Sequence, residues 1–216
     1  MAWEELLRQN NIVFLGEAGC GKSELAVHLA LELARQGREV HFFDLDQTKP
    51  LMRSRDAEGL LEKAGVTVHF QQQYADAPTQ VGGLIPLLLD EKKAVILDVG
   101  GNDTGAKLIG GYAHLLKAAD VWFVVNPGDF DGTLSAILRA SRLKMPRFLL
   151  NPNLGGGTTL EEYLFGIKLG LELLSPYVAV EAAAVPAPLY EQAKAETALP
   201  LIPITSHISV PEAGLE

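Results

Sequence analysis

Short runs of consecutive apolar residues alternate along this chain with longer stretches whose apolar positions recur every three or four residues. The short runs cover residues 12–15, 40–43, 66–70, 94–97, 121–125, 147–150 and 178–185. Apolar runs of this length, bounded by turn residues, predict buried strands, about seven in all. The longer stretches predict helices over 24–35, from Asp56 to near Gly65, and over 81–89, 106–119, 131–143, from Thr158 or Thr159 to just before Pro176, and over 189–196. Gly37 and Gly65 stop two of these helices. Asp56 and Asp131 are expected N-caps, and Thr158 or Thr159 followed by Glu161 and Glu162 predicts a capped start. Gly82, Gly83 and Pro86 weaken the helix over 81–89. Residues 1–10 read as a lead-in helix, 71–79 as loop, and the end from 201 as a tail stopped twice by proline.

The helix over 24–35 places Leu25, Leu29 and Leu33 on one face and Ala26, Val27, Ala30 and Leu31 on others. A helix apolar nearly all round predicts burial against a sheet. Continuous apolar strands alternating with helices indicate an α/β protein, a mostly parallel sheet inside three α/β/α layers. Ligands of such sheets bind outside the carboxyl ends of strands. The polar clusters stand at those ends: residues 16–23, Asp44 with Asp46, residues 98–103, Asn126 and Asn151. One site built from several loops is expected. With no repeat, low-complexity stretch or linker, residues 1–216 read as one domain, its core at about 11–201 and a tail over 202–216.

Chemistry enters with residues 16–23. Gly16, Glu17, Ala18, Gly19, Cys20, Gly21, Lys22 and Ser23 fit G-x-x-x-x-G-K-[ST] at every specified position, after a predicted strand and before a predicted helix that opens at Glu24. Glycines in this loop turn the backbone so that successive N–H groups face phosphate oxygens. Lys22 is expected to reach the β/γ-phosphates, and the Ser23 hydroxyl to ligate Mg²⁺. The start of the following helix adds partial positive charge. Asp98, at the end of an apolar strand, is the expected Walker B carboxylate that holds Mg²⁺, with Gly101 presenting its N–H near a γ-phosphate; the plainer reading of Asp98 is a helix cap. Asp44 and Asp46 could orient attacking water or join the metal shell, or could form an Asx-turn.

The motif at 16–23, Phe-Phe-Asp44-Leu-Asp46 at the second strand and Ile-Leu-Asp98-Val-Gly-Gly101 resemble the MinD/ParA/CobQ-CobB group of P-loop NTPases. That class also includes the signal-recognition GTPases. Asn151 is similar to the group's base-reading asparagine, and Val185-Pro186 with Leu199-Pro200-Leu201 to its closing segment beside the base. The stretch from Asp44 to Asp56 also looks like a subgroup of bacterial MinD-like proteins. The resemblance implies a Mg²⁺-dependent ATPase acting as a nucleotide switch or maturation factor. Alternatives are a CobB/dethiobiotin-synthetase-like biosynthetic enzyme and a non-hydrolysing interaction protein. Much of the group carries a lysine after the first P-loop glycine, reaching a nucleotide across a dimer interface; here Glu17 stands there, and a carboxylate would repel phosphate. Lys49, Arg53 or Arg55 could compensate, or be solvated surface. No carboxylate follows in Asn151-Pro152-Asn153-Leu154, which favours ATP over GTP.

Composition changes the picture little. The formal charge is −9 and the pI near 5.1, against non-specific nucleic-acid binding or an anionic lipid surface. The single Cys20 excludes an intrachain disulfide; a helix N-terminus lowers a thiol pKa, yet a small tolerated loop residue is the preferred reading. His28, His41, His69, His114 and His207 are scattered, each structural or on the surface. No signal-peptide order and no spanning apolar run occur, and the acidic tail lacks a basic amphipathic helix. The expected setting is cytoplasmic, with ATP/ADP as ligands, an unidentified protein partner, neither nucleic acid nor membrane, and room for a homodimer on another surface.

Overall fold

The computed structural model describes residues 2–46, 54–70, 81–128, 130, 132–153 and 157–207. Its strands are β1 (Asn11–Gly16), β2 (Glu39–Leu45), β3 (Thr67–Phe70), β4 (Lys93–Val99), β5 (Asp120–Val125), β6 (Arg147–Leu150), β7 (Val180–Pro186) and β8 (Leu201–Ile204). They form one sheet in the order β3-β2-β4-β1-β5-β6-β7-β8, parallel throughout. Its helices are α1 (Ala2–Leu6), α2 (Lys22–Arg35), α3 (Ser54–Lys63), α4 (Leu84–Leu88), α5 (Asp103–Gly110), α6 (Leu134–Ser141), α7 (Leu160–Leu174) and α8 (Tyr190–Glu196).

Strand alternation sends successive residues to opposite faces. Ile12 and Phe14 of β1, Phe42 of β2, Ile96 of β4 and Trp122 of β5 pack with α1, α2 and α3. Val13, Leu15, Phe43, Leu97 and Phe123 pack on the other face with α4, α5, α6, α7 and α8. Each such side chain contributes about 1.5–3 kcal/mol on burial. The expected three-layer parallel architecture is present. Among the described residues no helix is long and apolar enough to cross a membrane.

The sheet has eight strands where about seven were expected. Leu201-Ile202-Pro203-Ile204 read as tail because a proline inside an apolar run argues against a strand. It is tolerated because among the described residues β8 is an edge, pairing only with β7, so a missing N–H can face away from the ladder. Helix α5 starts at Asp103, three residues earlier than expected, because Asn102 caps it by accepting from the Gly105 N–H at 2.9 Å. It ends at Gly110, not at residue 119; a Cβ at Gly110 would lie 2.7 Å from the Ala140 carbonyl oxygen, so this glycine lets α5 and α6 touch. Helix α4 starts only after Gly83, whose φ of 76° is left-handed. Ser54 already belongs to α3, so Asp56 lies in its first turn and not at its N-cap. The expected loop over 71–79, the Asp131 cap, Lys49, Arg53 and the tail from 208 lie outside the described residues.

Helix α7 keeps its expected start: Thr159 and Glu162 form a reciprocal capping box. The helix presses its glycines onto the carboxyl edge of the sheet. A Cβ at Gly166 would overlap Pro152, and one at Gly170 would lie 2.5 Å from a Leu150 methyl. At the opposite edge Arg147 pairs with Asp120, Glu181 and Glu5 and lies 4.2 Å over the Trp122 ring, fastening α1.

Candidate functional site

The expected site residues gather at the carboxyl ends of β1, β2, β4 and β6. Gly16 ends β1, and the chain reaches α2 at Lys22 through a tight loop. Three loop glycines have left-handed or otherwise positive φ: 149° at Gly16, 80° at Gly19 and 87° at Gly21. Space also demands two of them, since a Cβ would overlap the Val124 carbonyl oxygen at Gly16 and the Asn151 amide nitrogen at Gly21. Ala18 and Gly19 are exposed at the loop tip; Glu17, Cys20 and Lys22 are buried. Lys22 Nζ donates to the Glu17 carbonyl oxygen at 2.8 Å.

Asp98 lies opposite Phe14 of β1 and Asp44 of β2 in the strand register. Alternation puts both aspartates on the α2 side of the sheet, the side of Lys22 and half-buried Ser23. Asp98 is 1% exposed, and among the described residues neither carboxylate oxygen has a hydrogen-bond partner. Desolvation, with the nearby Asp44 charge, pushes its pKa up to about 7, while Lys22 and Ser23 pull it down. Asp44 is buried and accepts from the Asp46 backbone N–H at 3.0 Å, forming an Asx-turn. Asp46 lies against Gly100, where a Cβ would come 3.2 Å from its carboxylate. Gly101 packs against the phosphate loop itself, since a Cβ there would come 2.5 Å from the Ala18 nitrogen.

Asn151 follows β6 and is 4% exposed. Its Nδ2 donates to the Cys20 carbonyl oxygen at 2.9 Å, while its Oδ1 has no partner among the described residues. The asparagine thus braces the loop and keeps one buried acceptor uncommitted. Pro186 ends β7, three strands from β1 along the same edge of the sheet. Glu24 sits in the first turn of α2 and accepts from the His207 backbone N–H. Nothing is described of the side chain of Arg55.

Three features escaped the sequence reading. Glu17 is 4% exposed and turned toward α6, accepting from the Leu134 N–H at 3.1 Å and the Thr133 hydroxyl at 3.2 Å; no local pattern links residues this far apart. The histidines are not all scattered: His28 and His207 approach to 3.3 Å, and His41 and His69 to 3.0 Å. Cys20 is buried, and desolvation raises its thiol pKa despite the neighbouring Lys22, opposite to the drop expected from the helix start alone.

The chain resembles known proteins at three levels. A 56-residue stretch is 38% identical to an insertion-sequence putative ATP-binding protein of Geobacillus stearothermophilus, 26% of this chain and 22% of that protein. The chain therefore spans about a fifth of that curated relative. Among solved structures, the cell division protein FtsY of Thermotoga maritima aligns with TM-score 0.55 at 15% identity, over 85% of this chain and 68% of that one. The signal recognition particle 54 kDa protein of Aeropyrum pernix, in complex with GDP, aligns with TM-score 0.50 at 20% identity, over 77% of this chain and 44% of that one. At such identities the likeness is one of fold. The family description CobQ/CobB/MinD/ParA nucleotide binding domain matches residues 12–147, more than half of the chain. A phosphate loop braced by its neighbouring strands, and this match, lead to one conclusion: the chain belongs to the CobQ/CobB/MinD/ParA family of nucleotide-binding P-loop NTPases.

Proposed function

We propose that this protein is a Mg²⁺-dependent ATPase acting as a MinD/ParA-like nucleotide switch or maturation factor. One observation carries the reading: the buried Asp98 carboxylate, unpartnered among the described residues, beside Lys22 and Ser23. A buried carboxylate so poorly supplied with hydrogen-bond donors is costly to ionise and calls for a cation. Mg²⁺ suits this donor set, because it takes one or two carboxylates with phosphate oxygens and water, not an all-protein cage. Among the described residues no cage of three or more His, Cys, Asp or Glu exists. Ser23 and Asp98, with Asp44 adjacent, would hold the ion, which when bound neutralises charge on β- and γ-phosphate oxygens.

The chain's own groups then have separable roles. Amides of residues 16–23 cradle the phosphates, and Lys22 exchanges the Glu17 carbonyl for phosphate oxygens. Asp44 or Asp46 orients water, and Gly101 presents its N–H to the γ-phosphate. Asn151 and Pro186 flank the base; the uncommitted Asn151 Oδ1 can accept from an adenine amino group. Its Nδ2 is held by Cys20, and Asn153 supplies no carboxylate for guanine.

The Glu17–α6 contact favours a second reading. With no lysine to reach across an interface, the site is self-contained, as in CobB/dethiobiotin-synthetase-like enzymes that phosphorylate a bound carboxylate. A switch releases phosphate from ATP without a cosubstrate, whereas a ligase-like enzyme needs its acid. For either, Lys22→Ala is expected to abolish Mg·ATP binding in calorimetry, since the loop loses its fixed cation. Wild-type affinity in that variant would sink the site assignment. In competition against a fluorescent analogue, ATP should outcompete GTP; GTP more than about tenfold tighter, roughly 1.4 kcal/mol, would reverse the base assignment.

A further inference from the structure

We propose that Glu17 is a positioning residue of the phosphate loop, pinning its 17–18 peptide to helix α6 so that the cradle is set before ligand arrives. The proposal rests on the nucleotide-binding reading above. Three anchors meet at this residue. Its Oε1 accepts from the Leu134 N–H at 3.1 Å and the Thr133 hydroxyl at 3.2 Å. Its carbonyl oxygen accepts from Lys22 Nζ at 2.8 Å. The peptide it forms with Ala18 lies against Gly101, where a Cβ would come 2.5 Å from Ala18 N and 2.8 Å from Glu17 C.

Helix α6 explains why an acidic residue suits this position. Its N-cap, Thr133, has helical φ and ψ and makes no side-chain cap bond of its own. The first N–H groups of a helix need acceptors from elsewhere, and Glu17 supplies one, to Leu134, from 117 residues away. An anionic acceptor there is strengthened by the helix dipole. The partnership works in both directions, because a carboxylate only 4% exposed needs donors to offset its desolvation. The side chain is therefore directed at α6, and the phosphate repulsion expected from the sequence is correspondingly reduced. Anchoring a loop in its binding conformation lowers the ordering cost of binding. Residue 17 is held through side chain, carbonyl and peptide plane, so phosphate entry, which draws Lys22 Nζ away from that carbonyl, leaves the α6 and Gly101 contacts in place.

The test is calorimetry on the full chain with Mg·ATP and, separately, inorganic pyrophosphate. Wild type is compared with Glu17→Ala, Glu17→Gln and Thr133→Val. Glu17→Ala should weaken both ligands about tenfold or more. Glu17→Gln, whose amide oxygen can accept the same two bonds, should restore affinity to within about threefold of wild type. Thr133→Val, at an exposed position, should weaken both ligands about threefold. A purely structural contact predicts a lower melting temperature without ligand and unchanged affinity in the folded variants, and that result would overturn the proposal. Equal losses in Glu17→Gln and Glu17→Ala would overturn it too, since an amide oxygen able to accept the same two bonds would then anchor nothing. Should Glu17→Ala not fold, unchanged affinity in Thr133→Val decides against it. Wild-type protein that binds neither ligand refutes the nucleotide-binding reading itself, a result distinct from binding that survives Glu17→Ala.

Discussion

At the scale of single residues, Asp98 would tie stability to the proposed metal site. Burial and the Asp44 charge raise its pKa from 3.8 to about 7. Between those values the folded, metal-free protein holds a proton that the unfolded chain has released. Stability of the metal-free protein should therefore fall as pH rises from about 4 through about 7. The effect is at most about 4 kcal/mol, since each pKa unit is worth about 1.4 kcal/mol. Thermal unfolding from pH 5 to 8 with a chelator present reads it. Asp98→Asn should flatten the profile, leaving the variant more stable than wild type at pH 8, yet its turnover should lose Mg²⁺ dependence and fall. A flat wild-type profile, or an unchanged slope in the variant, would remove Asp98 from the centre of the site. This residue was legible in the sequence because an aspartate closing an apolar strand downstream of a phosphate loop is a local pattern. Its orphaned carboxylate was not, because hydrogen-bond satisfaction depends on three strands and α2 meeting around it.

At the scale of elements, helix α7 shows packing prevailing over propensity. Gly166→Ala would gain up to about 1 kcal/mol of helix propensity. The new methyl would overlap the Pro152 ring, and overpacking of that kind typically costs about 1–3 kcal/mol. Proline cannot swing aside as a long side chain could, so a net loss of about 1–2 kcal/mol is expected in urea unfolding. A neutral or stabilised variant would mean that α7 can move away from the 151–153 segment, and that Asn151 is less firmly placed than the geometry suggests. The capping box at Thr159 and Glu162 was readable because its partners are three residues apart. The ends of α5 were not: its start depends on an Asn102 cap and its end on contact with α6.

At the scale of the whole molecule, β8 extends the sheet beyond the stretch matched by the family and carries Ile202 and Ile204 into the core. Ile202→Ala should cost about 2–4 kcal/mol of unfolding free energy, as large-to-small core changes do. A loss below about 1 kcal/mol would show β8 to be a dispensable strap. The segment after β8 returns to the phosphate-loop helix, where His207 meets Glu24 and His28. The edge of the sheet and the start of α2 are therefore physically joined.

The parallel layered architecture, the phosphate loop and the order of polar clusters along one sheet edge were legible along the chain. Apolar periodicity and the motif spacing are local, and they survive without knowledge of partners. Tertiary structure alone decided that Pro203 lies in an edge strand, that Glu17 faces α6 and that Asn151 braces Cys20. It likewise decided that burial, not the helix start, governs the Cys20 thiol. Each of these turns on which groups meet across the fold, or on which strand is left with a single neighbour. Such meetings are set by the order in which strands enter the sheet, and no local pattern along the chain records that order.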